Sequence, residues 1–187
     1  MKSVSNRVII WGMDCYNTLG LLRELGQAEI DLLFLIKGKA GFASKSKYCK
    51  SYKETSNIQE GFEYLKNNYI DEAFKPIIIT SGDDIVTYLD IHRDELCDRY
   101  ILPVTKEKGN TKKYSDKLTM TSLAQSLGIL CPESRSIKWN SCIGGIHYPC
   151  IIKPSHQKIG HYNEFKIKIC KTEKDLRHIL RYVHHDS

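Results

Sequence analysis

Apolar residues in the first hundred positions fall into short unbroken runs, separated by stretches with helical spacing. Arg7-Val8-Ile9-Ile10-Trp11 is one such run, ended by Gly12; Asp31-Leu32-Leu33-Phe34-Leu35-Ile36 and Pro76-Ile77-Ile78-Ile79-Thr80 are two more. Runs without polar alternation are the mark of strands buried on both faces, as in a parallel sheet covered by helices on each side. Between them, Leu19, Leu22 and Leu25 line one side of a helix over about 16–25, with Gly26 as its stop. Residues 59–67 form a second helix with Phe62 and Leu65 inward, and Asp83 or Asp84 caps a third that carries Ile85, Leu89 and Leu96. A basic loop leads to a short third strand near 48–52. This alternation predicts a three-layer α/β domain over residues 1–104. Its site is expected at the carboxyl ends of the strands, where Gly12-Met13-Asp14-Cys15 and Ser81-Gly82-Asp83-Asp84 lie.

The pattern changes after the polar stretch Thr105-Lys106-Glu107-Lys108-Gly109-Asn110-Thr111, which is the best domain boundary. A helix over about 116–127 places Met120, Leu123, Ala124 and Leu127 on one face and ends at Gly128. Strands at 148–153 and 165–170 follow, joined by a polar loop that is long for a hairpin. A last helix begins at Thr172, with Asp175 three positions on in a capping-box arrangement and Leu176, Ile179, Leu180 and Val183 on its buried face. Residues 105–187 thus predict a smaller α+β lobe.

Composition narrows the function classes. The 187 residues are 41% apolar, which describes a packed protein. No apolar run has membrane length, and Met1-Lys2-Ser3-Val4-Ser5-Asn6 leads into a strand without a signal-peptide core, so a soluble, cytoplasmic protein is expected. Seven scattered cysteines form no Cys-x-x-Cys pair and read as reduced core thiols rather than metal ligands. The net charge of +6 raises nucleic acid as a partner, with Tyr48 and Tyr52 among the lysines of segment 45–53 as stacking platforms. No nucleic-acid motif accompanies them, and a solvated basic loop accounts for the same residues. Neither Gly-x-Gly-x-x-Gly nor Gly-x-x-x-x-Gly-Lys-Ser/Thr occurs, so dinucleotide binding in its usual mode and P-loop chemistry are unsupported; Gly12 serves a tight turn out of the first strand.

Two lysines carry more information. Lys117, in Ser115-Asp116-Lys117, stands in the first turn of a helix, where the dipole disfavours a cation by several tenths of a kcal/mol. Lys112 and Lys113 just upstream add repulsion. An anion would reverse that balance, although a long stem can also carry the ammonium into water. Lys153 ends Tyr148-Pro149-Cys150-Ile151-Ile152-Lys153-Pro154 and shares a strand face with Ile151. On the next strand Lys166 and Lys168 share one face. If the polar faces of the two strands coincide, Lys153, Lys166 and Lys168 make one positive surface; otherwise this is an ordinary half-exposed sheet. The loop between them, with Ser155, His156, Gln157, Lys158, Gly160 and His161, could fold over phosphates, though loop histidines more often face solvent.

Taken in order, these segments resemble the N-terminal part of an ATP-grasp ligase. The resemblance rests on Asp116-Lys117 opening the helix that ends Leu127-Gly128-Ile129-Leu130-Cys131-Pro132-Glu133, then Tyr148 to Pro154, then Phe165-Lys166-Ile167. Upstream, Thr80-Ser81-Gly82-Asp83-Asp84 and Arg93-Asp94-Glu95-Leu96 resemble the end of a pre-ATP-grasp domain, with carbamoyl-phosphate-synthase-like enzymes and amino-acid ligases as the nearest members. The likeness covers nearly the whole chain. It implies a Rossmann-like pre-ATP-grasp domain followed by a partial ATP-grasp small lobe. It further implies ATP and magnesium as cofactors, a small carboxylate substrate, and an acyl phosphate that an amine attacks. Lys117 and Lys153 would then contact the nucleotide phosphates, with Lys166 as a further contact and loop 155–164, including Ser155 and Gly160, as the phosphate lid. That lid is glycine-poor beside the family's usual one. The family's adenine hinge and acidic magnesium ligands come later than Ser187, so the chain is expected to be an N-terminal fragment, inactive alone, with its metal ligands elsewhere. The alternative is a non-catalytic module that binds a small ligand or a protein through the α/β domain, with the open edge of the partial second lobe favouring a homo-oligomer.

Overall fold

The computed structural model describes residues 5–137, 142–154 and 165–183, with the side chains of residues 182 and 183 left aside. They form two compact units, Met1–Lys112 and Lys113–Ser187.

In the first unit, β1 (Val8–Gly12), β2 (Leu32–Lys37), β3 (Tyr52–Thr55) and β4 (Ile77–Thr80) make a wholly parallel sheet in the order β3-β2-β1-β4. Alternate residues of the unbroken apolar runs face opposite layers, which is why those runs carry no polar period. Val8, Ile10, Leu32, Phe34 and Ile36 pack on α1 (Tyr16–Gln27) through Leu22, with Leu19 and Leu25 partly buried beside them. Ile9, Trp11, Leu33, Leu35 and Ile78 pack on the other side. There they meet Phe62 and Leu65 of α2 (Ile58–Asn67) and Ile85 and Leu89 of α3 (Asp83–His92). The result is the three-layer α/β domain expected. Strand order reverses at β1: α1 leads outward to β2, while α2 returns the chain past β1 to β4, so the helices fall on opposite faces.

Several element boundaries differ from those expected. Helix α1 continues through Gly26 to Gln27, and its residue past the end, Glu29, takes the left-handed φ of 58°. Gly26 is there for space: a Cβ would lie 2.5 Å from Tyr48 Cβ. The third strand falls at Tyr52–Thr55 rather than 48–52, because residues 43–49 make consecutive turns closed by Ser46 N–H to Ala43 O and Cys49 N–H to Ser46 O (3.0 and 2.9 Å). Gly82 takes the cap position of α3, so neither Asp83 nor Asp84 caps it, and Leu96 lies beyond a 3₁₀ turn at Arg93–Glu95. The polar stretch 105–111 is tied to the first unit. Asp90 Oδ2 accepts from Gly109 and Thr111 N–H (2.9 and 3.1 Å), and Arg93 donates to the Thr105 and Lys106 carbonyls (2.6 and 2.8 Å).

In the second unit, α4 (Asn110–Ser115) crosses the division and α5 (Lys117–Ser126) follows it. Asp116 caps α5 by accepting the Thr119 N–H at 2.8 Å, and Gly128 closes it with φ 74°. The expected apolar face of α5 is not buried: Met120 is 49% and Leu127 68% exposed. β5 (Cys150–Ile152) and β6 (Lys168–Cys170) pair antiparallel, each shorter than its apolar run because the backbone bends at Tyr148, Pro149 and Lys166. Cys170 packs with Leu176 and Leu180 of α6 (Glu173–Val183), while Ile179 is partly buried there and the Val183 side chain lies outside the described residues. Thr172 and Asp175 form the expected box. Asp175 Oδ2 accepts from Lys171 and Thr172 N–H at 2.9 Å each, and Asp175 N–H donates to Thr172 Oγ1 at 3.3 Å.

Gly61 marks the tightest contact of the first core. A Cβ there would approach Trp11 Cζ2 to 2.6 Å. Gly61→Ala must therefore push α2 off the sheet, and it is expected to destabilise the first unit by roughly 1–3 kcal/mol despite alanine's better helix propensity. Urea denaturation would measure it; a neutral or stabilising result would contradict the packing described.

Candidate functional site

In a sheet whose strand order reverses, chemistry is expected at the carboxyl ends of the parallel strands. Gly12 owes its identity to Ser81, whose Oγ would lie 1.7 Å from a Cβ at that position. Close approach to Ser81, rather than a tight turn, is therefore what requires glycine. The Thr18 hydroxyl donates to the Met13 carbonyl at 2.7 Å and meets the Ser81 hydroxyl at 2.8 Å, locking the turn after β1 to the turn after β4. Asp14 accepts three backbone N–H groups, from Gly41, Ala43 and Ser44, at 2.8, 2.7 and 2.9 Å. Successive N–H groups of this kind form an anion nest, and here the anion is the protein's own carboxylate. Burial alone would raise the Asp14 pKa, but the hydrogen bonds from Ala43, Ser44 and Gly41 outweigh it and hold the group below its ordinary 3.8.

Beside this turn, Lys37 at the end of β2 forms an ion pair with Asp84. A shallow depression of about 380 Å³ lies next to it, lined by Lys37, Gly38, Ser56, Asn57, Ile58 and Tyr88. Asn57 is already engaged as the cap of α2, accepting the Glu60 N–H at 2.9 Å, while Glu60 accepts the Ser56 N–H at 2.7 Å. The acids and amides at this edge therefore hold loops and helix ends together. Among the described residues no group of three or more His, Cys, Asp or Glu side chains could hold a metal.

The second unit is different. Lys117, in the first turn of α5, donates its Nζ hydrogen bond to the Pro154 carbonyl at 3.2 Å. Positions 36 apart in sequence are thereby brought to one place, since Pro154 directly follows Lys153 at the end of β5. The antiparallel register sets Ile152 opposite Lys168, so Lys166, just before β6, stands at the same end of the sheet. All three lysines are exposed, and among the described residues none is in an ion pair. The register also settles the faces. Ile151 pairs with Ile169 on the exposed side, 62% and 66% accessible, which Lys153 shares by alternation. Lys168 pairs with Ile152 on the opposite side, so the polar faces of the two strands do not coincide and the single surface of Lys153, Lys166 and Lys168 does not form. What gathers charge is the end of the sheet.

This end suits an anion in a limited way. An ammonium that spends one N–H on a carbonyl keeps two more for a phosphate oxygen. The helix terminus offers less than expected, because Asp116 already takes the Thr119 N–H and places a negative group there. Ser155 and Gly160, and with them His156, His161 and the whole loop 155–164, lie outside the described residues.

No protein-family model matches the chain, and no curated protein sequence matches it. Solved structures do. An L-amino acid ligase from Bacillus licheniformis superposes with a TM-score of 0.65 at 12% identity, covering 97% of this chain and 43% of that one. N5-carboxyaminoimidazole synthetase from Staphylococcus aureus, complexed with ADP, gives 0.60 at 13% identity, covering 97% and 48%. The fold is therefore ATP-grasp-like, and the chain spans less than half the length of either enzyme. No described helix is long and apolar enough to cross a membrane.

The Asp14 nest yields a pH prediction with a definite sign. A carboxylate whose folded pKa is depressed stabilises the fold above its unfolded value and loses that contribution as pH falls toward the folded value. Acidification from just above pH 3.8 should therefore weaken the first unit. Asp14→Asn should cost roughly 1–3 kcal/mol at neutral pH, with unsatisfied N–H groups left behind, and should flatten the acid arm. Denaturation at pH 7 and pH 3 decides; equal acid sensitivity in the two proteins would count against the nest.

Proposed function

We propose that this chain contributes part of the nucleotide site of an ATP-dependent carboxylate–amine ligase, with Lys117 and Lys153 on the phosphates of ATP. The observation that carries the reading is the Lys117 Nζ to Pro154 carbonyl contact, which draws two lysines from separate elements to one end of the small sheet. The ATP-grasp-like fold and the ADP bound to the Staphylococcus aureus neighbour support the choice of nucleotide. Lys166 stands at the same end as a further phosphate contact, and Ser155 and Gly160 would supply the loop that covers the phosphates.

The chemistry asks little of these residues beyond charge and position. A carboxylate oxygen of the substrate attacks the γ-phosphorus of ATP, the bond to the β-phosphate oxygen breaks, and ADP leaves. An amine then attacks the acyl carbon and inorganic phosphate departs, leaving an amide. Negative charge moves along the phosphate chain as the first bond breaks, and ammonium groups held near it lower the barrier by electrostatic stabilisation and alignment. Magnesium would supply further neutralisation of the phosphate charge; its acidic ligands and the acceptor carboxylate site are assigned to parts of the intact enzyme outside these 187 residues. That assignment accords with the coverage of less than half of each neighbour. The chain alone is thus expected to bind Mg-ATP weakly and not to turn over.

Titration calorimetry with Mg-ATP tests the reading. Binding should weaken about tenfold or more for Lys117→Ala and for Lys153→Ala, the loss of one charged contact each. Lys45→Ala, in the basic loop of the first unit, should leave it unchanged. Equal affinity across the three variants, or ADP release by the chain alone in the presence of a carboxylate and an amine, would contradict the proposal.

A further inference from the structure

Four of the seven cysteines lie in the second unit, and two of them face one another. The β5–β6 register places Cys150 directly opposite Cys170. Directly opposed residues of an antiparallel pair have Cα atoms about 4.5 or about 5.5 Å apart, depending on the hydrogen-bonding pattern. Both values fall inside the range of about 4.4–6.8 Å that disulfides span. Opposed residues also project to the same face of the sheet, here the face covered by Leu176 and Leu180 of α6. The two also belong to one apolar cluster, with Cys170 inside it and Cys150 packed against it. Access is unequal: Cys150 is half-buried and Cys170 fully buried. No other two described cysteines share a strand register.

We propose that Cys150 and Cys170 are a redox-responsive pair that closes to a cross-strand disulfide on meeting a low-molecular-weight disulfide such as oxidised glutathione. The inference does not rest on the nucleotide reading. The accessible member reacts first: the Cys150 thiolate attacks one sulfur of oxidised glutathione, a new S–S bond forms, and one glutathione thiolate leaves. Cys170 then gives up its proton and attacks the Cys150 sulfur, releasing the second glutathione. Two protein thiols are oxidised, one glutathione disulfide is reduced to two thiols, and the two protons end on the glutathione sulfurs. Burial, with Cys150 alongside, pushes the Cys170 thiol up to about 11. Unaided attack on a distant disulfide is therefore slow for Cys170, whereas attack on its neighbour is intramolecular.

The experiment uses the full chain, treated with oxidised glutathione, quenched by alkylation and digested without reductant. Mass spectrometry should find the peptides carrying Cys150 and Cys170 joined, with Cys131 and Cys142 alkylated. The joined protein should melt roughly 5 °C higher than the reduced one, as expected for a link that closes the segment between positions 150 and 170. Dithiothreitol should reverse the shift, and Cys150→Ser should show no difference between oxidising and reducing conditions. A stable glutathione adduct on Cys150 with Cys170 still alkylated, or a link from either residue to another cysteine, would overturn the proposal. The wild-type peptide map decides this even if the variant folds poorly.

Discussion

Backbone N–H groups at the ends of elements need partners, and in this chain acidic and amide side chains meet that need repeatedly. Asp14 takes three from the loop after β2, Asp90 two from Gly109 and Thr111 at the start of α4, and Asp175 two at the start of α6. Asn57 and Glu60 divide the start of α2 between them, and Asp116 caps α5. A carboxylate held by N–H donors is fixed in place. The same arrangement draws these acids away from the lysines. In a protein of net charge +6, that leaves cations such as Lys117, Lys153 and Lys166 exposed and without a carboxylate among the described residues. The proposed phosphate contact follows from this distribution of charge.

The two units express the constraint differently. In the first, the sheet is sealed by helices on both faces, and its carboxyl edge is closed by Asp14, the Thr18–Ser81 hydroxyl pair and the Lys37–Asp84 ion pair. That edge reads as architecture. In the second, the sheet has two short strands, one covered face and one exposed face bearing Ile151 and Ile169. One end of that sheet gathers Lys117, Lys153 and Lys166.

Much of the fold was legible in the sequence because unbroken apolar runs leave few choices for a buried parallel strand, and β1, β2 and β4 fell where those runs lie. β3 was displaced because Tyr52-Lys53-Glu54-Thr55 is polar at an edge, where burial leaves no period to read. The end of α1 was misread because glycine signals a stop by conformation, while Gly26 is present to admit Tyr48. The amphipathic pattern of α5 foretold a helix correctly but not its environment, since periodicity describes a face and not what covers it. Lys117 and Lys153 could be singled out from local context alone, one by a helix dipole and the other by its place at a strand end. Their meeting, the opposed Cys150 and Cys170, and the failure of the lysine faces to coincide all depend on strand register, which two short strands do not announce. The role of Asp14 was hidden for a related reason: its three donors lie 27 to 30 positions away.

The central claim is that Lys117 and Lys153 act together on one anion. Lysine acetylation footprinting reads this directly by comparing the labelling rate of each lysine with and without Mg-ATP. The account predicts that Lys117 and Lys153 are protected together, with half-protection at the same ATP concentration, while Lys45, Lys47 and Lys50 label at unchanged rates. Protection confined to the basic loop of the first unit, or protection of one of the two lysines without the other, would contradict it.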